Sequence, residues 1–501
     1  MNDHFVYDWI ERWAQYSPHK VIFKDYQSQK SWTYSEFNKR TNAVALFLLN
    51  DLKLKKGDRI AIYSFNRPEH VFLFFACVKS GIIFVPLNFR LAPSEIDVLL
   101  YDSQPSVLIY EEAFQEKINK LKFTSEAVKL VGTNLFCDFL HGKIADKEFK
   151  ETTPIFEKDI VMILYTSGTT GIPKGVMINH RMLFWNSINT EIRLNITSED
   201  HTQNYAPFFH TGAWNVLLTP FVHHGASITL LPYFDPDLIL KLFQEEKTTI
   251  FFGVPTMLQM IAESSLFEQT DFSSVRYAVV GGAPMPVSLI NKWHDKGVFI
   301  RQGYGLTEVG PNCFSLHQDD AKRKIGSIGF PNFYISAKIT DENGKECQAN
   351  AVGELCLKSP VVTPGYWNKP EETEKTIIDG WFHTGDMVRR DSEGYFYVVD
   401  RKKNMYISGG ENVYPAEIET VLRMHPGIKD SAVIGVPDEK WGEVGKAFII
   451  LNDAQTTEKD IIQFCIEKLA KYKIPKYVQF VTELPRNEAG KLDRKRLQEI
   501  N

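Results

Sequence analysis

Cysteine is scarce in this chain of 501 residues, and none of the six, at positions 77, 137, 313, 347, 356 and 465, belongs to a C-x-x-C pair. That spacing speaks against a structural zinc site or a redox dithiol, and it suits a reducing compartment, so a cytoplasmic protein is expected. An excess of one charge is lacking too. The 57 basic and 62 acidic residues leave a formal net charge of -5, which opposes broad counterion-release binding to nucleic acid or to an anionic membrane. Local peripheral contact with a membrane stays open. Long apolar runs are absent: stretches such as Val71 to Val78 stop well short of the ~20 residues of a membrane-spanning helix. The opening MNDHFVYDWIERW has no basic segment followed by an apolar run and a small-residue cleavage site, so secretion is not expected. Low-complexity tracts and 20- to 50-residue repeats are missing, which excludes solenoids and flexible arrays. So are G-x-x-x-x-G-K-[ST], G-x-G-x-x-G and G-x-S-x-G, which removes the usual mononucleotide, dinucleotide and serine-hydrolase signals.

What is present suffices for several packed cores: 44% of the residues are hydrophobic and 24% charged, and the length suggests two or three domains. Short β-rich apolar runs (Arg59 to Tyr63, Ile82 to Val85, Ile160 to Tyr165, Ser227 to Leu231, Thr249 to Phe252, Tyr277 to Val280) alternate with helical periodicity, as in Pro68 to Lys79 and Asp237 to Glu245. This predicts an α/β fold of mostly parallel sheets covered by helices. From Ile335 to Val399 short strands broken by DENG and DSEG turns predict antiparallel sheet, a small barrel-like subdomain. The charged segment Asp400 to Asn404 is read as a boundary, giving domains 1–400 and 404–501 joined by a hinge at 401–403. The last hundred residues read as a separate α+β domain.

The most informative segment is TSGTTGIPKG, Thr166 to Gly175, directly after the strand Ile160 to Tyr165. Its glycines let backbone approach a ligand closely, while Thr166, Ser167, Thr169, Thr170 and Lys174 supply hydroxyl donors and a cation. The loop suits a triphosphate. His223 and His224 lack a third ligand at metal spacing and are read as structural.

TSGTTGIPKGV resembles the signature of the adenylate-forming superfamily of acyl-CoA synthetases, luciferases and peptide-synthetase adenylation domains. Further segments resemble the family's successive motifs, in order, over almost the whole chain: WTYSEF, SGIIFVPLNFRL, APFFHTGAW, VGGAPM, GYGLTE, GEL, GWFHTGD, DRKKNMYISGGENVYPAEIE and PRNEAGK. The resemblance implies an ATP-dependent acid:CoA ligase with a mobile C-terminal domain, whose substrates are a carboxylate, ATP and coenzyme A and whose metal is Mg²⁺. Gly168 joins the phosphate loop. Tyr304, within Gly303 to Gly305, would stack on adenine, with Gly282, Ala283 and Pro284 on its other face and Gln302 at the adenine edge. Glu308 would contact magnesium, and Thr307 the α-phosphate or the substrate carboxylate. Asp386 and Arg401 would hold the ribose, Lys491 would bridge carboxylate and α-phosphate, and Lys403 would be the hinge. Gly409, Gly410, Trp441, Tyr472 and Lys476 match positions that meet coenzyme A; Ile474 departs from relatives that carry arginine there.

For the acid, Ala206 to Asn215 holds no aspartate for an ammonium group, which favours an apolar monocarboxylate. His210 is read as the carboxylate-orienting residue. Phe208, Phe209, Gly281 and Gly303 would shape the pocket, and Trp214 is either a gate, as in long-chain relatives, or a packing residue. A medium- or long-chain fatty acid is the expected substrate. An aryl acid, an acyl-AMP ligase that loads a carrier protein and a luciferase-like enzyme are the alternatives, and a homodimer is the expected assembly.

Overall fold

The computed structural model describes residues 8–123, 129–134, 149, 154–166, 173–283, 285–408, 411–452, 455–466, 468–486 and 492–500. The chain forms two compact units, Met1–Ala337 with Leu357–Phe382, and Lys338–Cys356 with His383–Asn501.

In the first unit the apolar runs become parallel sheet. Six strands lie in the order Lys129–Gly132, Val107–Tyr110, Arg59–Tyr63, Ile83–Pro86, Ile160–Thr166 and Lys174–Asn179. Neighbouring strands among them run parallel except the last pair, an antiparallel hairpin. A second sheet sets Val21–Asp25, Ser227–Leu230 and His201–Asn204 side by side in parallel. A third series, Ile250–Gly253, Tyr277–Val280 and Phe299–Tyr304, is parallel and continues antiparallel into Phe314–Ser315. The strand Tyr277–Val280 is buried throughout, which explains why it reads as a continuous apolar run rather than an alternating one.

The helices fit the same logic. Pro68–Ser80 starts with proline at its first turn and stops at Gly81, whose φ of 71° is the left-handed conformation glycine adopts cheaply. Its apolar run is buried all round, a core helix rather than a membrane one. Among the described residues no helix is long and apolar enough to cross a membrane. Pro236–Glu245 is capped by Asp235, whose carboxylate accepts the N–H groups of Asp237 and Leu238. The loops that carry the motif residues leave the carboxyl ends of parallel strands: Gly281 follows Val280, and the turn Thr307–Val309 follows Tyr304. In open α/β sheets, ligands bind at these ends.

In the second unit, Phe396–Arg401 pairs antiparallel with Asp386–Arg390, as the Gly/Asn/Asp turns predict. DSEG makes the turn between them: the Asp391 carboxylate accepts N–H from Glu393 and Tyr395. The long hairpin Ile428–Asp438 and Gly442–Leu451 forms the sheet of the last hundred residues, with helices Pro415–Leu422 and Glu458–Ile466 contributing Ile418, Leu422 and Ile461 to its core. This unit takes in residues 383–400, upstream of the charged segment. One cause is local, since the Asp400 carboxylate accepts the N–H of Ala416 at the start of helix Pro415–Leu422 (2.8 Å) and binds Asn404 Nδ2 (2.9 Å). A functional boundary at 400 is a separate matter and stays a proposal.

Candidate active site

The hairpin that carries the phosphate-loop motif closes on itself. Thr166 and Lys174 are register partners, and the Thr166 hydroxyl approaches the Lys174 carbonyl at 3.5 Å. Ser167, Gly168, Thr169 and Thr170 lie outside the described residues, as do Pro284, Gly409, Gly410 and Lys491. A Cβ at Gly175 would stand 2.8 Å from Ile163 and 3.2 Å from Tyr165, so the strand after the loop needs glycine to lie this close.

Lys174 is not aimed at bulk water. Its Nζ is 2.6 Å from Glu372 Oε2 and 5.1 Å above the Tyr366 ring. The Tyr366 hydroxyl in turn donates to Glu308 Oε1 at 3.2 Å, and the Thr363 N–H holds the Glu308 carbonyl at 2.8 Å. Burial first, and then the neighbouring Glu308 charge, push the Tyr366 pKa far up, so this hydroxyl stays a proton donor. Two residues read from separate motifs, Lys174 and Glu308, are thus gathered by a third, Tyr366, that the sequence reading missed. A sequence signal did exist: Gly365, just before it, has a φ of 142° that favours glycine. What Tyr366 touches was not readable.

Glu308 and Thr307 share the 3₁₀ turn Thr307–Val309. A Cβ on Gly305 would lie 1.6 Å from the Pro311 carbonyl oxygen, so the chain can fold back here only with glycine. Tyr304 meets Phe314 edge-on at 5.7 Å, and Gln302 is buried. Val280 and Gln302 are register partners in adjacent parallel strands, which brings Gly281 beside Gly303. A Cβ at either would make only ordinary contacts of 3.5 Å or more, whereas Gly282 has a φ of 84° that favours glycine for its backbone. Ala283 follows it.

On the acid side, the His210 ring lies 4.4 Å from Phe209, and Arg90 stands over Phe209 at 5.8 Å. Trp214 is packed inside the core of the first unit. The side chain is fully enclosed, 4.4 Å from Phe208, 4.8 Å from Phe74 and 5.4 Å from Phe84, and its indole N–H donates to the Phe208 carbonyl at 2.6 Å. Phe208 belongs to the same core. Phe252, which the sequence reading also missed, fills the space beside the small residues: its ring is 3.1 Å from a Cβ placed on Gly212 and 3.9 Å from one on Gly281. Nearby, a cavity of about 910 Å³ is lined by Phe89, Arg90, Arg67, Tyr205 and Pro207 among others. His223 and His224 are packing groups: His223 stacks on Trp9 at 4.0 Å, both rings meet the Ser187 hydroxyl, and burial pushes the His223 pKa down to about 3.

In the second unit, Asp386 and Arg401 are register partners with Nε 2.6 Å from Oδ1, the carboxylate being almost wholly buried. Thr384 supports the turn, its hydroxyl donating to the Leu355 carbonyl and accepting the Asp386 N–H. Glu354 of the GEL segment accepts the Gly385 N–H at 3.1 Å and pairs with Lys402 at 3.1 Å. It therefore steadies both the strand before Asp386 and the 3₁₀ turn Lys402–Asn404 that contains Lys403. Trp441 and Lys476 meet on one carboxylate: Asp438 accepts the Trp441 N–H at 3.0 Å and is hydrogen-bonded to Lys476. Tyr472 sits in the turn Lys471–Lys473, half exposed. On either side of the segment that contains Lys491, Arg486 and Leu492 form an isolated antiparallel bridge, and Arg486 binds Asp430 at 2.8 Å.

Comparison with known proteins shows the family. The AMP-binding enzyme family matches residues 10–367, and the AMP-binding enzyme C-terminal domain matches residues 417–491. A feruloyl-CoA synthase of Amycolatopsis is 38% identical, covering 97% of this chain and 96% of its own. A long-chain-fatty-acid–CoA ligase of Mycobacterium tuberculosis is 35% identical, covering 96% and 95%. The structure of o-succinylbenzoate coenzyme A synthetase from Bacillus subtilis, in complex with ATP and magnesium ion, superposes with a TM-score of 0.87 at 30% identity, covering 98% and 99%. This chain belongs to the AMP-binding enzyme family, among relatives that are acyl- and aryl-acid:CoA ligases.

Proposed function

We propose that the protein joins an apolar monocarboxylic acid to coenzyme A at the expense of ATP, through an acyl-adenylate. The observation that carries this reading is the Tyr366 cluster, in which one tyrosine carries the Lys174 cation over its ring and the Glu308 carboxylate at its hydroxyl, at the foot of the loop beginning at Thr166. In the first step a carboxylate oxygen of the acid attacks the α-phosphorus, and pyrophosphate leaves with the electron pair of the broken P–O bond. In the second the coenzyme A thiol gives up its proton, its sulfur attacks the acyl carbon and AMP departs.

The first step brings two anions together, so the protein's task is positioning and charge neutralisation rather than proton transfer. Lys174 neutralises the triphosphate tail, Thr307 donates its hydroxyl to the α-phosphate or the carboxylate, His210 orients the acid, and Lys491 places a cation where both anions meet. Glu308, held by Tyr366, is a hard oxygen ligand of the kind Mg²⁺ prefers, and the ion would supply further neutralisation of the phosphates. Tyr304 stacks on adenine, opposite Gly282 and Ala283, and Asp386, backed by Arg401, accepts the ribose hydroxyls. The exposed Trp441, Tyr472 and Lys476, with Gly409 and Gly410, receive coenzyme A, the proposed acceptor. A cytoplasmic setting, where both cosubstrates occur, is part of this reading.

The test is release of AMP and pyrophosphate by purified protein with Mg²⁺ and ATP over a panel of fatty and aryl acids, with and without coenzyme A. Acid-dependent AMP formation and coenzyme A-dependent thioester are expected. ADP as product, or turnover without an acid, would overturn the reading.

Lys403, in the turn Lys402–Asn404, is the proposed hinge between the half-reactions. Proline there would fix φ and constrain Lys402 as well. Lys403→Pro is expected to keep acid-dependent pyrophosphate exchange while thioester output falls roughly tenfold or more; undiminished thioester output rules the hinge out.

Of the three named relatives, two are named for aromatic acids and one for long-chain fatty acids, so an aryl or an aliphatic acyl body is compatible with them. Phe252 is the side chain whose ring occupies the room left by Gly212 and Gly281. Phe252→Ala is therefore expected to raise kcat/KM for bulkier acids relative to the best wild-type substrate by roughly 10-fold, since each methylene of pocket fit is worth about 1–3 kcal/mol. An unchanged ranking across a graded acid series would remove Phe252 from the pocket.

A further inference from the structure

Lys174 has a counter-ion before any nucleotide arrives. Its side chain is 14% exposed, and that of Glu372, on the short helix Pro370–Thr376, is 38% exposed; the two meet at 2.6 Å. Glu372 also pairs with Lys375 at 3.6 Å, one turn further along the helix. The Tyr366 ring lies under the Lys174 ammonium, and its hydroxyl, at the far end of the same side chain, holds Glu308. A lysine so enclosed by protein gains from an anion or a π-face beside its ammonium, and here it has both. The direction of the Glu372 shift agrees, its pKa being lowered chiefly by the hydrogen bond from Lys174.

We propose that Glu372 is a placeholder anion, which keeps Lys174 parked over Tyr366 until the triphosphate of ATP displaces it. The inference rests on the ATP reading above and goes beyond it by assigning a role to a carboxylate outside every recognised motif. The carboxylate and the triphosphate compete for one ammonium, so ATP must first break the Lys174–Glu372 pair. The apparent affinity is then reduced by the fraction of molecules in which the pair is intact. Tyr366 stays in place throughout, so Lys174 moves while Glu308 keeps its hydroxyl partner. The device lowers affinity, and removing it has an unusual sign: loss of a charged residue near the site should tighten binding.

The test compares ATP and AMP binding to wild-type protein and to Glu372→Gln at equal ionic strength with Mg²⁺. Partly exposed ion pairs are weak, so ATP should bind about two- to fivefold tighter to the variant. AMP, which lacks the β- and γ-phosphates, should bind both proteins equally. Lys174→Met introduced into Glu372→Gln should erase the gain for ATP. An ATP affinity that is unchanged or weaker in Glu372→Gln, or an equal gain for AMP, overturns the placeholder role. Wild-type protein that binds no ATP would instead overturn the ATP reading itself, so the two failures are distinguishable.

Discussion

Replacing Lys491 with alanine is expected to slow acyl-adenylate formation by roughly 10²-fold or more, the usual cost of removing one preorganised stabiliser of developing charge. The expectation comes from the chemistry of the first step. Carboxylate and α-phosphate are both anionic, and an attack that joins them gains most from a cation placed where they meet. Thioester formation from supplied acyl-adenylate brings a thiol to a carbonyl carbon, has no such repulsion, and should survive in the variant. The two half-reactions are separable by measuring acid-dependent pyrophosphate exchange and then coenzyme A thiolysis of synthetic acyl-adenylate. Equal losses in both would show that Lys491 has a general structural role and no special one in adenylation.

Asp386→Asn should act on nucleotide binding and leave the chemistry nearly intact. The Asp386 carboxylate is almost wholly buried and is backed by Arg401 at 2.6 Å, a charge-assisted pair with carboxylate oxygens available as acceptors. Asparagine has the same shape, so the strand pairing of Asp386 with Arg401 should persist. Its amide has one acceptor oxygen, however, and can no longer accept from two ribose hydroxyls while facing a guanidinium. Hydrogen bonds to charged groups contribute about 1.5–3 kcal/mol, so KM for ATP should rise by roughly 10- to 100-fold with a much smaller change in kcat. Initial rates of pyrophosphate release against ATP concentration read both constants. An unaltered KM would separate Asp386 from the ribose.

The legible part of this protein was the part written in short contiguous segments. A loop made of glycine, hydroxyl residues and one lysine after a buried strand has a local meaning, because backbone freedom and donor density belong to the segment itself. The same holds for the parallel strands: Tyr277 to Val280 reads as a continuous apolar run because both of its faces are covered. The turns of 335–399 were readable for a similar reason, since Asp391 closes the DSEG turn through N–H groups only two and four positions away.

Other features depend on residues far apart in the chain. Tyr366 meets Glu308 across 58 positions and Glu372 meets Lys174 across 198. Neither partner is specified by its neighbours in sequence, and a lysine or glutamate reads as a solvated charge until folding encloses it. Trp214 shows the same limit from the other side. Its own segment allows a gate or a packing residue equally, and Phe74 and Phe84, contributed by a distant helix and strand, fill the space around it. The sequence by itself determined the α/β class, the family and the chemical types gathered for the reaction, because those are properties of local segments. Which side chain holds Glu308, which carboxylate meets Lys174 and which ring lies beside Gly212 and Gly281 were decided only in three dimensions, where packing brings together groups that the chain keeps apart.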